Sequence, residues 1–242
     1  GNALRIDWGT VVALGRLTHI LGNPPFAGKK EQSREQKADL AEAFGPNTKT
    51  GVLDYVTAWF AKASQIASGS RVVCAFVATN SISQGEQPGA LWPALWKQGI
   101  KLHFAHRTFR WRNEGSGMAA VHCVILGFAA FEPRNRWLFE YENFDGVPHR
   151  LPARRINPYL VDAPDVVLER RERPLCAAPE ISKGSEATDF GHLFLEPEEK
   201  RSLVSEFPIA KAWVRRAVGS EELINGIERW CLCLVDVPPS DL

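Results

Sequence analysis

The four residues Asn23-Pro24-Pro25-Phe26 have the types and the order that chemistry on an amino group requires. The side-chain oxygen of Asn23 and the backbone carbonyl of Pro24 are both hydrogen-bond acceptors. Each of these two residues precedes a proline, which favours extended geometry, and the prolines fix their own φ and carry no N–H. The acceptors are therefore preorganised, and preorganisation is a major source of catalysis.

Two acceptors held in this way can activate an aromatic amine. The lone pair of an adenine amino nitrogen is delocalised into the ring, and acceptors that bind the amino hydrogens rehybridise the nitrogen and aim its lone pair at an electrophile. Phe26 offers a flat face for an extruded base, worth about 1–3 kcal/mol by analogy with other base–aromatic stacks. The alternative is an ordinary strand-to-loop turn, where Asn and Pro are common.

The apolar run at residues 18–22 predicts a strand that ends at this tetrapeptide. Beyond it, the apolar periodicity predicts helices over residues 31–44, 52–68 and 88–97, a central parallel strand over 71–79, and strands over 101–109 and 118–128. Gly115-Ser116-Gly117 would join the last two strands as a hairpin. This order predicts the second half of a doubly wound α/β sheet with an antiparallel edge hairpin.

The pattern changes after about residue 130. Residues 136–141 and 229–235 predict strands, residues 145–192 are rich in Pro and Gly with little periodicity, and residues 197–217 predict two short helices split near Pro208. We therefore divide the chain into residues 1–135 and a loop-rich α+β region at residues 136–242, of the kind that carries recognition loops.

A second cluster, HRTFRWR at residues 106–112, interleaves basic and aromatic side chains. Alternate residues of a strand share a face, so Arg110 and Arg112 would point one way and Phe109 and Trp111 the other. Together with Arg107, they could form the lip of a base pocket, with arginines on phosphates and an aromatic ring on the base. The alternative is an edge hairpin with solvated arginines and buried rings.

Three more candidates lie close to the tetrapeptide. Lys29 and Lys30 could bind phosphate or belong to a solvated loop, and Asp54 could serve a site or cap the first turn of the following helix.

His103 and His106 are three residues apart on a predicted strand, so they would face opposite ways and chelate poorly. We predict no metal site.

The overall composition limits the classes of function. With 29 basic and 28 acidic residues, the net charge of +1 does not indicate a nonspecific nucleic-acid coat, although local basic patches remain possible. No apolar run approaches the 18 residues of a membrane span. The five cysteines include no C-x-x-C pair, which favours reduced thiols and a cytoplasmic location.

Asn-Pro-Pro followed by Phe or Tyr at a strand end resembles motif IV of amino-methyltransferases. More of the chain is similar to the MmeI-like (type IIL) restriction–modification proteins, which combine a nuclease, an adenine N6-methyltransferase and a target-recognition domain. The blocks that carry the resemblance are GNPPFAGKKEQSREQKAD (22–39), LDYVTAWF (53–60), VATNSISQGEQ (77–87), FAHRTFRW (104–111), VHCVILGF (121–128), INPYLVDAPD (156–165) and NGIERWCLCL (225–234).

The resemblance implies a Rossmann-like sheet that uses S-adenosylmethionine to methylate an adenine flipped from double-stranded DNA. It implies catalytic roles for Asn23, Pro24, Pro25 and Phe26. It places Asp54 and Tyr55 beside the cofactor, and it makes the hairpin at 106–117 a wall of the base pocket.

The family's glycine-rich cofactor loop should precede motif IV, and the 22 residues before Asn23 do not form one. We therefore expect this chain to be an excised fragment, inactive alone, whose exposed sheet edge could drive self-association. Two alternatives stay open. One is a noncatalytic DNA-binding module, and the other is a glutamine or RNA amino-methyltransferase.

Overall fold

The computed structural model describes residues 1–46, 48–111, 121–169, 171, 173, 176–178, 191–235 and 237–238. The chain forms two compact units, Gly1–Glu172 and Arg173–Leu242. The described strands of the first unit are β1 (His19–Gly22), β2 (Val73–Thr79), β3 (Lys101–Trp111), β4 (Val121–Ala129), β5 (Arg136–Glu140) and β6 (His149–Ala153). Its described α-helices are α1 (Trp8–Val11), α2 (Arg34–Phe44), α3 (Thr57–Ala67) and α4 (Gln87–Lys97).

The six strands of the first unit form one mixed sheet in the order β1-β2-β4-β3-β5-β6. β1 pairs with β2 in parallel, and β3 pairs with β5 in parallel. β4 runs antiparallel to both β2 and β3, and β6 runs antiparallel to β5. This α/β sheet with an antiparallel β3–β4 pair confirms the predicted fold class, although the turn at Gly115-Ser116-Gly117 lies outside the described residues.

The core of this unit forms between α3 and the middle of the sheet. Phe60 of α3 stacks on Phe128 of β4 with 5.3 Å between the ring centroids, and it meets Phe76 of β2 edge-on at 5.2 Å. All three rings are at least 98% buried. Every second residue of β2 is buried and the others are half-buried, which is the environment of a central strand covered on both faces.

Local sequence signals set the boundaries of the first two long helices. The hydroxyl of Ser33 accepts a hydrogen bond from the N–H of Gln36, and the Gln36 side chain accepts one from the N–H of Ser33. This capping box starts α2 at Arg34, three residues later than predicted. α3 starts at Thr57, later than residue 52, because residue 53 is extended and a short 3₁₀ turn precedes it.

The chain beyond residue 135 still contributes to the first sheet. β5 was predicted, whereas β6 was not, because Pro152 and the flanking loops hide its short apolar pattern. Proline is tolerated there since β6 is an edge strand. The functional boundary at residue 135 stays a prediction.

At the opposite edge of the sheet, Leu21 of β1 is 72% exposed. The predicted self-association through this edge stays a prediction.

The second unit contains a small antiparallel sheet in the order β7-β9-β8. Its described elements are β7 (Phe194–Leu195), α5 (Pro197–Glu206), a 3₁₀ helix at Pro208–Ala212, β8 (Val214–Ala217), α6 (Ser220–Asn225) and β9 (Arg229–Leu232). The helix predicted before Pro208 is confirmed. A second short helix also follows, at Pro208–Ala212, but it is a 3₁₀ helix and ends earlier than residue 217, because the chain then enters β8.

Candidate active site at the end of the first strand

The tetrapeptide follows directly after Gly22, at the carboxyl end of β1. Since β1 and β2 are parallel and Gly22 pairs with Phe76, the turn lies next to the carboxyl end of β2. Pro24 is buried, Phe26 is half-buried, and Asn23 and Pro25 are exposed. Ligands of open α/β sheets bind at this end of the strands, so the turn occupies the expected position for a site.

Asn23 has a free amide. Within the described residues, its side chain makes no hydrogen bond, and the Pro24 carbonyl has no donor. Asn23, Pro24 and Pro25 line a cavity of about 630 Å³ together with Tyr55 and Trp59. The geometry therefore leaves both acceptors available next to a space of ligand size.

A second cavity, of about 790 Å³, contacts the next residue of the turn. It is lined by Phe26, Lys29, Lys30, Asp54 and Thr79, among others. Phe26 also packs partly against the hydrophobic core, which fixes the position of its ring. The tetrapeptide thus borders two cavities, with Asn23 on the first and Phe26 on the second.

Asp54 is a buried carboxylate that contacts β2. Its Oδ2 accepts a hydrogen bond of 2.7 Å from the hydroxyl of Thr79, and its backbone N–H donates to the Gln87 side-chain oxygen at 3.1 Å. The cap position of α3 is Val56, which makes no side-chain cap bond. The alternative that Asp54 caps this helix is therefore wrong, and the carboxylate instead lines the Phe26 cavity.

Tyr55 points to the other cavity, so the structure does not bring Asp54 and Tyr55 together. The Tyr55 ring is 96% buried and meets the ring of Trp59 edge-on at 5.1 Å. Its hydroxyl donates to Asp39 Oδ2 at 2.7 Å and accepts from the Asn2 amide at 3.2 Å. Only the ring of Tyr55 therefore remains to contact a ligand.

Asp39 is the acceptor at the centre of this network. Arg5 Nε donates to its Oδ1 at 2.8 Å, while Tyr55 and Asn2 share its Oδ2. Burial alone would raise the pKa of Asp39, but the hydrogen bonds from Arg5, Tyr55 and Asn2 outweigh it and lower that pKa. Burial, followed by the hydrogen bond to Asp39, raises the pKa of Tyr55. The network joins the start of the chain to one wall of the Asn23 cavity.

Asp39→Asn should weaken the stability of the chain at neutral pH but not in acid. Because the folded-state pKa of Asp39 is lowered, its stabilisation is present above the unfolded carboxyl pKa of about 3.9 and is lost as the pH falls through the lower folded value. Urea unfolding from pH 7 to pH 2 should show the wild-type advantage shrinking below about pH 4. Glu35→Gln, an exposed carboxylate 3.9 Å from Arg5, is the control and should change little. If the difference in unfolding free energy between the wild type and Asp39→Asn does not vary with pH, the lowered pKa assigned to Asp39 is contradicted.

The two lysines after the turn lie on the surface. Both are exposed and line the Phe26 cavity. Lys29 lies 3.8 Å from Glu86, an exposed pair that contributes little stability and opens readily for another anion. The predicted phosphate contacts of Lys29 and Lys30 stay predictions.

The basic and aromatic side chains of β3 have different partners within the described residues. Phe109 stacks on Tyr141 at 5.4 Å and lies 6.2 Å from Trp111. Arg107 pairs with Glu140 at 2.5 Å, and Arg110 pairs with Asp145 at 3.0 Å. A bulge between His106 and Phe109 shifts the register of the strand here. Arg112 lies outside the described residues.

These positions leave the predicted base pocket incomplete. Neither Phe109 nor Trp111 lines the two cavities at the tetrapeptide, whereas Val121, at the start of β4, lines the Phe26 cavity. Arg107 lines a separate cavity of about 470 Å³ with Asn80 and Gln84. The hairpin is therefore near the site through β4, and the roles of its aromatic residues stay predictions.

Sequence reasoning missed three residues that shape the site, namely Thr79, Gln87 and Asp39. Thr79 and Gln87 form hydrogen bonds with Asp54, and Asp39 accepts a hydrogen bond from Tyr55. Thr79 and Gln87 fall within the block VATNSISQGEQ at residues 77–87, so the resemblance marked their segment. Asp39 is the last residue of the block at residues 22–39, so the resemblance marked its segment as well, although no spacing signal gave it a role.

The described residues contain neither a helix that could span a membrane nor a cluster of metal-ligating side chains. No helix in the described part of the chain has the length and apolar character needed to cross a bilayer. Among the same residues, no three His, Cys, Asp or Glu side chains come together as metal ligands would. His103 and His106 bond separately, to the carbonyl of Phe131 at 2.9 Å and to the hydroxyl of Tyr141 at 2.8 Å.

Solved and curated proteins resemble this chain over nearly its whole length. MmeI, a type IIL restriction–modification enzyme solved in complex with DNA, is 45% identical with a TM-score of 0.88, and the match covers 100% of this chain and 32% of MmeI. DNA methyltransferase A of Bacillus subtilis (strain 168) is 35% identical over 236 residues, which are 96% of this chain and 26% of that protein. The chain thus spans about a quarter to a third of these relatives.

Two family descriptions match consecutive parts of the sequence. Residues 1–140 match the DNA-methyltransferase domain of MmeI, and residues 162–242 match its target recognition domain. The first match contains the tetrapeptide, both cavities beside it and strands β1 to β5. The chain therefore belongs to the MmeI family and carries sequence from its DNA-methyltransferase and target-recognition domains.

Proposed function

We propose that this chain is part of a restriction–modification DNA methyltransferase that transfers a methyl group from S-adenosylmethionine to N6 of a flipped adenine. The observation that carries the proposal is the position of Asn23 and Pro24. They lie at the carboxyl end of β1 with no hydrogen-bond partner for the Asn23 amide or the Pro24 carbonyl among the described residues, and they border the Asn23 cavity.

The residues of the Asn23 cavity fit the cofactor. At about 630 Å³ it has the size of a site for a small organic molecule, and Tyr55 and Trp59 give it aromatic walls beside Asn23. When bound there, S-adenosylmethionine supplies an electrophilic methyl group on a sulfonium. This placement assigns the cofactor side to Tyr55 and moves Asp54, the other predicted cofactor residue, to the base side.

The Phe26 cavity is the proposed site of the adenine. Phe26 supplies the stacking face, and the amino group would lie where the two cavities meet at the tetrapeptide. There Asn23 and Pro24 accept its two hydrogens, which frees the nitrogen lone pair for the methyl group. S-adenosylmethionine, if bound in the Asn23 cavity, would supply the methyl group, with its sulfur as the leaving group that keeps the bonding electrons, and the amino proton would leave to solvent. Asp54, bonded to Thr79, lines this side as a fixed acceptor for a base edge.

Basic residues around the Phe26 cavity and on β3 are the proposed contacts to the DNA backbone. Lys29 and Lys30 line the cavity, and the Arg107 and Arg110 side chains pair, among the described residues, with the carboxylates of Glu140 and Asp145, which phosphates can replace. We assign residues 1–135 to methyl transfer and residues 136–242 to reading the duplex, in line with the match of residues 162–242 to a target recognition domain.

The identity of the methylated base tests this proposal. A catalytically complete protein that contains this chain should be incubated with labelled S-adenosylmethionine and duplex DNA, and the digested nucleosides should be separated by mass spectrometry. We expect N6-methyladenine. Label on cytosine, on RNA or on a protein glutamine, with none on adenine, would contradict the proposal and favour the amino-methyltransferase alternatives.

The 242-residue chain alone should bind S-adenosylmethionine weakly or not at all. The 22 residues before Asn23 contain no glycine-rich loop to hold the cofactor, so the Asn23 cavity supplies only one side of its site. Equilibrium filter binding with labelled cofactor measures this directly. Weak binding with retained duplex affinity would make this chain a noncatalytic DNA-binding module by itself, whereas tight, saturable cofactor binding would contradict the expectation.

A further inference from the structure

A cavity at the other end of the sheet has no part in the proposed reaction. It has a volume of about 390 Å³ and is lined by Lys101 and Leu102 at the start of β3 and by Trp92 and Trp96 of α4. β1 and β3 run the same way in the sheet, because β1 is parallel to β2 and β4 is antiparallel to both β2 and β3. The start of β3 is therefore opposite the end of β1 that carries Asn23. We call this space the α4–β3 cavity.

The charged residues of the α4–β3 cavity leave an excess of positive charge. The four cationic residues that line it are Lys101, Arg136, Arg154 and Arg155, and the two carboxylates are Glu132 and Asp165. Glu132 binds both Lys101 and Arg136, so one carboxylate is shared by two cations. Arg136 also donates to the carbonyls of Leu102 and Arg154 at 3.2 Å. This part of the wall is therefore fixed by its own contacts.

Arg154 and Arg155 form the unpaired part of the wall. Neither side chain has an ion pair within 4 Å or a hydrogen bond among the described residues, although the charge of Arg154 also acts on the nearby Asp162 carboxylate. Their backbone N–H groups both donate to the carboxylate of Asp162, at distances of 2.9–3.2 Å. Asp162 thereby holds the backbone of both residues while their guanidinium groups stay available. Adjacent guanidinium groups suit the oxygens of a phosphate, which they can bind in bidentate fashion.

An unsatisfied donor in the same cavity gives an independent indication of a ligand. Trp92 lines the cavity and is 98% buried, and its indole N–H has no hydrogen-bond acceptor among the described residues. A buried donor without an acceptor costs about 1–3 kcal/mol, so native proteins seldom keep one without a reason. An anionic oxygen in the cavity would satisfy it. Partly exposed Trp96, 6.4 Å from Trp92 between ring centroids, adds an aromatic wall.

We propose that the α4–β3 cavity binds the phosphate of a nucleotide-sized ligand. Arg154 and Arg155 hold the phosphate oxygens, the Trp92 N–H donates to a ligand oxygen, and Trp96 contacts the organic part. Asp165, which has no partner among the described residues, leaves the net charge of the cavity at two positive charges. Such a phosphate belongs either to a free mononucleotide or to a DNA end, and the same residues would bind both.

Calorimetric titration of the 242-residue chain tests the site without any methyl transfer. Adenosine 5′-monophosphate should bind at one saturable site, and adenosine, which lacks the phosphate, should not. Arg155→Gln should weaken binding about tenfold or more, since it removes a charge-assisted contact from an exposed residue that does not support the fold. Trp92→Phe keeps the ring and removes only the N–H donor, so it should weaken binding as well.

Arg134→Gln is the matched control, because Arg134 is an exposed arginine two residues from Glu132 that does not line the cavity. It removes the same charge and should leave binding unchanged. A short duplex with a 5′-phosphate is titrated in parallel. Binding of the duplex alone, weakened by Arg155→Gln and not by Arg134→Gln, supports the phosphate site and identifies DNA as its source. No saturable binding of either ligand, or equal effects of the two arginine variants, overturns the proposal.

Discussion

Asn23→Ala should lower the rate of methyl transfer about 100- to 1000-fold in a catalytically complete protein that contains this chain. The magnitude follows from the loss of one preorganised polar partner of the reacting group. Asn23 is exposed and makes no hydrogen bond within the described residues, so its removal should not disturb the fold. Duplex affinity should also stay nearly unchanged, because the phosphate contacts lie on other residues. Single-turnover kinetics and duplex titration measure the two quantities separately.

Asn23→Asp is the informative companion variant. Its carboxylate keeps an acceptor oxygen at the same place, so methyl transfer should fall much less than in Asn23→Ala. Equal losses in the two variants would mean that the amide acts through its N–H₂ donors. Full activity of Asn23→Ala would mean that the tetrapeptide is only a turn, which is the alternative that its sequence leaves open.

Gly127→Ala should destabilise the first unit by about 1–3 kcal/mol. Gly127 pairs with Phe104 across β3 and β4, and a Cβ atom there would lie 2.1 Å from the Phe104 ring. The ring meets His106 and Phe139 edge-on, so it cannot move without disturbing them. Replacing glycine by alanine within a strand is otherwise favourable, so the sign of the effect depends on this contact.

Gly51→Ala is the matched control for Gly127→Ala. No atom lies within 4 Å of the Cβ that it would add, and the φ of Gly51 is not positive. It should leave stability unchanged or raise it by about 0.4–1 kcal/mol, because alanine reduces the entropy of the unfolded chain. Urea unfolding gives the change in unfolding free energy for both variants, provided that the denaturant slopes of the variants equal that of the wild type. A Gly127→Ala protein as stable as the wild type would mean that the Phe104 ring does not lie over β4.

The sequence could predict the parts of this fold that local patterns determine. Residues 71–79 and the β3–β4 pair are long and strongly apolar or alternating, so their type and order were correct. The position of the tetrapeptide at the end of β1 also followed from a local signal, because a strand must stop where two prolines remove its N–H donors. The start of α2 could have been placed from the Ser33–Gln36 capping pattern.

Features that depend on long-range contacts could not be predicted in this way. β6 exists because it pairs with β5, and its own sequence HRLPA is a weak strand pattern. The sequence places the neighbours Asp54 and Tyr55 together beside the cofactor. In the structure, an extended segment before α3 turns them towards different cavities. Their partners Thr79 and Asp39 lie 25 and 16 residues away along the chain, where no spacing rule links them.

A structure of the catalytically complete protein with its duplex and a cofactor analogue tests the central claim most directly. The quantity to measure is the distance from N6 of the extruded adenine to the two proposed acceptors. We expect the Asn23 side-chain oxygen and the Pro24 carbonyl oxygen each to lie about 2.7–3.2 Å from that nitrogen, with the base stacked on Phe26. An extruded adenine bound elsewhere, or one whose N6 contacts neither oxygen, would contradict the account.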